Sequence, residues 1–408
     1  MKFEIKFINH ACFQILKDDF SILVDPWFSG KIFNDSWQLI QETSLDDVDL
    51  SKLKYIFISH EHPDHLNWGT LKKIRNKVDH EIKVVMAARK NSNVAENINR
   101  LGYDYVEVLP WQHITSEKDN FSFCFLKKNH DSGISFDIDG KIILNKNDCE
   151  YTPEELRMIK GGFEKRIDIL LDQFSLAGYY ANKQDKHSLF FAREKHILNL
   201  LKSMDILNPR LTIPFASFIT FCRPENRFVN DYIVNLQDIL DRSKSNIFVP
   251  YYNEDIPMGG NEKQSLENCK KWRMHFEKAK KEHIDTVPTV SEEDLISGVG
   301  EMRSQMCLLE EKRIMSLANV NADRTDFTLH LSDIDKFCNF NFKKDNISFF
   351  DKNELDATPI ASVHTYDLLG FFKNHWGADT MNITSCFTVF DLEKWRYMLT
   401  FRDKCYVR

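Results

Sequence analysis

The sequence predicts an α/β fold, followed by a helical segment and a small α+β domain. Three observations carry this prediction. Apolar runs of strand length alternate with amphipathic helical stretches through the first 260 residues. Hairpin signals, such as Asp139-Gly140 inside DIDGK, sit among the strands. Near residue 261 the chain turns to charged helical text, and after about 321 it becomes strand-like again. At 408 residues the chain is long for one unit, and these shifts divide it into 1–260, 261–320 and 321–408.

The elements follow in order. KFEIKFIN alternates as a strand, and CFQILKDDFSILVDPWF reads as two strands joined at Lys17-Asp18-Asp19. KYIFISH is a buried strand, LKKIRNKV a helix, EIKVVMAA a strand, and NSNVAENINRLGY an Asn-capped helix ending at Gly102. YVEVL, ITSE, FSFCFLKK, ISFDIDGKIILN and IDILLDQF continue the strands. Helical spacing over residues 187–204 predicts a helix, RLTIPFASFITF a strand, NDYIVNLQDILDRS a helix and SNIFVPYYNEDI a strand. Residues 262–283 and SEEDLISGVGEMRSQMCLLEEKRIMSLANV read as helices with solvated Lys/Glu faces. DFTLHLSDIDKFCNFNF, NISFF, NITSCFTVF and WRYMLTFRD read as strands.

Composition excludes several classes. A net charge of −7 and an isoelectric point near 6.1 give no sign of nucleic-acid binding, and leave room only for a locally basic pocket for an anionic substrate. An apolar share of 42% with 32 Phe is that of a packed globule. The start, MKFEIKFINH, lacks the apolar run of a signal peptide, and no stretch approaches a membrane span. Nine dispersed Cys without a C-x-x-C pair suit a reducing compartment, so a cytoplasmic location is expected.

The chemistry is concentrated in YIFISHEHPDHLNW. Five titratable groups fall within six residues, His60 to His65, directly after a buried strand. An extended segment puts His60 and His62 on one side, so both can reach one ion. Asp64 and His65 follow Pro63, where the chain must turn, and can face a second ion. Imidazoles suit zinc and iron, and carboxylates suit harder ions. A lone His or acid would be a solvated loop residue. Five such groups at a strand end are costly to desolvate without an ion, so a metal site is expected.

This H-x-H-x-D-H segment resembles the signature of the metallo-β-lactamase fold superfamily. INHACF with ILVDPWFSG resembles the superfamily's first strands, and KKNHDSGISFDIDGKIILNKNDCE resembles the segment bearing its third His and bridging Asp. LLDQFSLAGYYAN, PFASFITFCRPEN and FFKNHWGADTMNITSCFTV are similar to the branch of CMP-N-acetylneuraminate hydroxylase-like proteins and related diiron oxygenases. The resemblance implies a four-layer αββα fold over roughly the first 260 residues. It implies one metal held by His60, His62 and His130, another by Asp64 and His65, and Asp148 between them. A shared carboxylate offsets the repulsion of two cations about 3.5–4 Å apart.

One ligand departs from the pattern. Where a further His is expected, this sequence reads Cys222-Arg223-Pro224-Glu225-Asn226. Arg223 in its charged state binds no metal. It is read instead as gripping a substrate carboxylate or phosphate, with a surface salt bridge as the alternative; Glu225 is read as a substitute ligand and His187 as a weaker one. A second ion with fewer protein ligands would keep open positions, as an O2-activating iron requires. His10 is expected either to line the metal pocket or to be a hydrogen-bonded core His. Asp25 is expected either to orient a ligating imidazole or to be a turn-forming Asp before Pro26. Asp172-Gln173 is read as a substrate contact or a strand-end cap, and Cys222 as buried packing. His113, His196, His275, His283 and His330 are read as surface or core residues, and His375-Trp376-Gly377 as structural or pocket-closing.

The expected function is a non-haem diiron oxygenase acting on a small biosynthetic metabolite, with Asp64, Arg223 and Glu225 as catalytic candidates. Its cofactors are two metal ions, iron favoured over zinc or manganese, with O2 as co-substrate. Its electrons come from a separate donor or from the substrate, since the sequence has no Cys/His motif for an iron–sulfur centre and no G-x-G-x-x-G. The rival readings are a dinuclear zinc hydrolase of a phosphodiester, lactone or amide, and a non-catalytic metal-binding protein.

Overall fold

The computed structural model describes residues 3–88, 93–306, 326–342, 346–355 and 358–405. Two sheets stack face to face. The first runs, from edge to edge, Glu254–Asp255, Glu4–Asn9, Cys12–Leu16, Ser21–Val24, Leu53–Ile58, Lys83–Ala87 and Asp104–Val108. Its first pairings are antiparallel, and from Ser21–Val24 onward they are parallel. The second runs Leu211–Phe215, Ile169–Gln173, Lys141–Asn147, Asp131–Ile138, Phe121–Lys128 and Ile114–Ser116.

Alternation along each strand builds the layers. In Leu53–Ile58, Phe57 faces the second sheet, with its ring centroid 4.8 Å from Phe123 and 5.0 Å from Phe136. Ile56 and Ile58 point the other way, into a core shared with Leu71 and Ile74 of helix Trp68–Lys77 and Ile98 of helix Val94–Arg100. Helices Pro153–Gly161 and Lys186–Leu207 cover the second sheet with Leu156, Ile159, Ile197, Leu200 and Met204. This is the four-layer αββα arrangement.

A separate core forms toward the carboxyl end. Its sheet runs Ile347–Phe350, Lys336–Asn341, Asp326–Leu331, Ala361–Val363 and Phe387–Val389. Helices Thr365–Lys373, Gly377–Thr384 and Leu392–Cys405 pack on it. The helical segment divides between the two cores. Helix Glu262–Ala279 gives Cys269 and Trp272 to the first, and helix Glu292–Ser304 gives Leu295, Val299 and Met302 to the second. The remainder of that segment, 307–320, lies outside the described residues.

Four elements differ from the sequence expectation. WRYMLTFRD is helical, because its buried residues Trp395, Met398, Phe401 and Arg402 recur at three- and four-residue spacing, which closes a helix face. NITSCFTVF divides into the end of helix Gly377–Thr384 and strand Phe387–Val389, broken at Ser385 with φ +54°. RLTIPFASFITF divides at Ala216, φ +47°, into strands of two different sheets. SNIFVPYYNEDI keeps only Glu254–Asp255 as a strand.

Candidate metal centre

The centre lies where several strand ends meet. Leu53–Ile58 ends one residue before Ser59-His60, Ser21–Val24 runs into Asp25, and Lys141–Asn147 runs into Asp148. After His62 the chain turns at Pro63, with the His65 and Leu66 amides donating to the His62 carbonyl. Asn67 then caps helix Trp68–Lys77 by accepting from the Thr70 amide, and its own amide donates to the Pro63 carbonyl. Three residues around the centre hold positive φ without being glycine: His10 at +29°, Asp25 at +44° and Asn147 at +57°. Such conformations cost of order 1–3 kcal/mol each and collect at functional sites.

Hydrogen bonds define which ring nitrogens face the centre. The Ser59 hydroxyl donates to Asp25 Oδ2 at 2.7 Å, so its oxygen accepts from His60 Nδ1 at 3.0 Å. The Asp25 carboxylate also takes the Ser59 amide at 2.7 Å, Asn147 Nδ2 at 2.8 Å and His65 Nδ1 at 3.0 Å. With Nδ1 protonated on both rings, His60 and His65 turn Nε2 toward the centre. His62 offers Nδ1, 2.9 Å from His60 Nε2.

Carboxylates complete the set. Asp148 Oδ2 lies 3.6 Å from His60 Nε2 and 3.6 Å from His65 Nε2, midway between the two rings. Asp64 Oδ2 lies 3.1 Å from His65 Nε2, at an angle that leaves that nitrogen without a hydrogen bond. Asp131 Oδ1 is 3.6 Å from His60 Nε2. Donors about 2.1 Å from one ion stand about 3.0–3.4 Å apart, close to these separations. Asp64 Oδ1, Asp131 Oδ1 and Asp148 Oδ1 are buried with no hydrogen-bond partner. Two triplets of donor atoms result, His60/His62/Asp131 and His60/His65/Asp148, with His10/Asp64/His65 adjoining.

The electrostatics also ask for a cation. Burial and the neighbouring His65 hold His60 well below its ordinary range. Burial opposes charge on His65, but Asp64, Asp148 and Asp25 overcome it and hold that imidazole well above its ordinary range. Burial likewise opposes charge on Asp64 and Asp148, and the surrounding imidazoles keep both carboxyls low. One imidazolium against Asp25, Asp64, Asp131 and Asp148 leaves negative charge in excess, which metal ions would neutralise.

His10 resolves one of the alternatives open in the sequence. Its Nδ1 accepts from the Phe218 amide at 3.2 Å, and burial keeps the ring neutral. The proton therefore sits on Nε2, which donates to Asp64 Oδ2 at 3.3 Å. His10 thus holds Asp64, and with Asp64 and His65 it also forms one of the donor groups at the centre.

Other expected site residues fall elsewhere. His130 occupies the hairpin turn between the paired residues Lys128 and Asp131, is 46% exposed at its side chain, and stands 3.9 Å from Asp403. Asp131, one residue on, begins the strand and points to His60, a place the expected pattern gave to His130. The signal for it was the Asn129-His130 turn, which leaves residue 131 as the inward position. Arg223 is fully buried and pairs with Asp367 at 2.7 Å and Glu225 at 3.2 Å, so its guanidinium joins the two cores instead of gripping a substrate, and Glu225 is held by it. His187 is exposed at the start of helix Lys186–Leu207. Cys222 is buried, as expected, with Sγ 3.1 Å from the Asp35 carbonyl. Trp376 of the carboxyl-terminal domain stands against the centre. Its ring is 6.0 Å from His62 and 5.5 Å from His130, and its indole N–H donates to Glu61 at 3.3 Å.

Residues 4–131 match the model of the Beta-lactamase superfamily domain, and residues 260–352 match a protein family of unknown function, DUF3294. The fold is the metallo-β-lactamase αββα fold, and the chain is similar to hydroxylases that share that superfamily domain. The cytidine monophosphate-N-acetylneuraminic acid hydroxylase of Danio rerio is 25% identical over 245 residues, covering 56% of this chain and 40% of the relative. The chain thus spans two-fifths of that relative's length. Among solved structures, CmlA, a diiron beta-hydroxylase from Streptomyces venezuelae, aligns at 14% identity and TM-score 0.45 over 62% of this chain and 54% of its own. A possible metal-dependent hydrolase from Veillonella parvula aligns at 14% identity and TM-score 0.40, over 62% and 98%. No described helix is long and apolar enough to cross a membrane.

Proposed function

We propose that this chain is a dinuclear metal enzyme, a non-haem diiron oxygenase acting on a small biosynthetic metabolite. The observation that carries the metal reading is the cluster itself: three imidazole nitrogens freed of protons or competed for by carboxylates, and three buried carboxylate oxygens without donors. His60, His62 and Asp131 would hold one ion, His65 and Asp64 the other, with Asp148 between them. Bound iron would supply reductive activation of O2 and oxygen-atom insertion. Iron over zinc is supported by the carboxylate-rich donor set, by the few protein ligands left at Asp64 and His65 once His10 is engaged elsewhere, and by the hydroxylase relatives.

Within the chain, each group has a definable task. Asp25, Ser59 and Asn147 keep the ligating imidazoles in one tautomer. His10 holds Asp64 Oδ2, the oxygen that also lies 3.1 Å from His65 Nε2. Trp376 walls the approach and limits water at the centre. Electrons come from a separate donor or from the substrate.

Metal analysis of protein purified without added metal, with its visible spectrum, tests this. Near two equivalents of iron and a spectrum that changes on reduction and exposure to O2 are expected. Two equivalents of zinc without such a spectrum would replace this reading by a hydrolase, and absence of metal would end both.

A further inference from the structure

We propose that the cavity beside Asp148 is a subsite for an oxyanion of the substrate, a carboxylate or a phosphate, held by Lys195 and Lys202. The inference rests on the metal reading above, because it takes Asp148 as a ligand. The cavity measures 220 Å³, and Asp148 is part of its lining. One wall is a single face of helix Lys186–Leu207, carrying Lys195, Asn199 and Lys202 at four- and three-residue steps. That face is therefore aimed at the same space as a metal-site carboxylate.

Charge accounting decides the sign of the ligand. Lys146 and Asp172 on the floor neutralise each other, buried and 2.8 Å apart. Lys195 meets Glu150 only at 3.6 Å, and both side chains are more than half exposed, so that pair holds it weakly. Lys202 has no carboxylate in ion-pair reach among the described residues. His196 adds no charge, since burial pulls it down to about 4 and its Nε2 is engaged by the Tyr180 hydroxyl at 2.7 Å. With Asp148 directed to metal, positive charge is left over, and the ligand group is an anion. The second oxygen of Asp172 is buried without a donor, which a hydroxyl beside the anionic group, or a water, would supply. At 220 Å³ the cavity takes a head group rather than a whole large substrate, and the reacting carbon would lie toward Asp148.

The test uses the full chain loaded with cobalt(II). D-gluconate, glycerol 3-phosphate and glycerol are titrated by calorimetry, with the cobalt visible spectrum followed in parallel. One or both anions should bind and perturb the spectrum, and glycerol should do neither. Which anion binds tells carboxylate from phosphate. The double variant Lys195→Ala, Lys202→Ala should bind the anion about tenfold more weakly or worse, with metal content unchanged, and Lys202→Arg should keep binding. Equal binding by the double variant, equal binding of glycerol, or no binding of either anion overturns the subsite while leaving the metal reading in place. Failure of the wild-type chain to take up metal overturns both.

Discussion

Asp25 orders the imidazoles of the proposed metal centre from behind. It fixes His65 directly and His60 through Ser59, so each ring presents Nε2. Replacing Asp25 by Ala should lower metal affinity about 10–100-fold, read by competition with a chelator, while the fold persists. The ligands themselves can be separated. Asp148→Ala should lose both ions, Asp131→Ala one, and His130→Ala neither, by elemental analysis. Loss of metal from His130→Ala would restore the expectation drawn from the superfamily pattern. His10→Gln retains a donor to Asp64 and should keep two ions, whereas a ligand His10 would lose one. His62→Ala should abolish turnover without unfolding the chain.

Elements set where these residues stand. Helix Pro153–Gly161 follows Asp148 closely and has a capping box, with the Thr152 hydroxyl accepting from the Glu155 amide and Glu155 accepting from the Thr152 amide. Thr152→Ala should cost about 1 kcal/mol by urea denaturation. Helix Lys186–Leu207 carries His196 against Tyr180. His196 titrates near 4 in the folded chain and near 6.5 unfolded, so its neutral form is the one the fold prefers. Its contribution is complete above pH 6.5 and is lost as pH falls toward 4, by roughly 3 kcal/mol at most. His196→Gln cannot gain that proton, so its stability should fall less than that of the wild-type chain between pH 7 and 4.5.

At the scale of the whole molecule, the two cores are joined through buried polar contacts. Arg223 and Asp367 are wholly buried, and Asn226 donates to the Thr384 carbonyl at 2.8 Å. Removing one partner strands the other charge, so Asp367→Ala should destabilise by about 3–5 kcal/mol, and Arg223→Met with Asp367→Leu by much less. The same docking brings Trp376 over the centre. Trp376→Ala should leave the metal count unchanged and speed the removal of metal by a chelator, measured as a release rate.

By itself the sequence determined the alternation of strands and helices and the H-x-H-x-D-H cluster, because these are local patterns that a short window carries, while the αββα layering was implied by the resemblance to the metallo-β-lactamase superfamily. His60, His62, Asp64 and His65 were singled out for that reason, Asp148 by the resemblance, and the fold brings the five together. Asp131, the tautomers imposed by Asp25 and Ser59, and the role of His10 depend on pairings 34 to 208 residues apart in the chain, such as Ser59 with Asp25 and Phe218 with His10. Arg223 was misplaced for the same cause: its partner Asp367 lies 144 residues away. Tertiary structure alone decided which groups share a buried volume, and burial is what turns a hydrogen bond or a charge into a commitment.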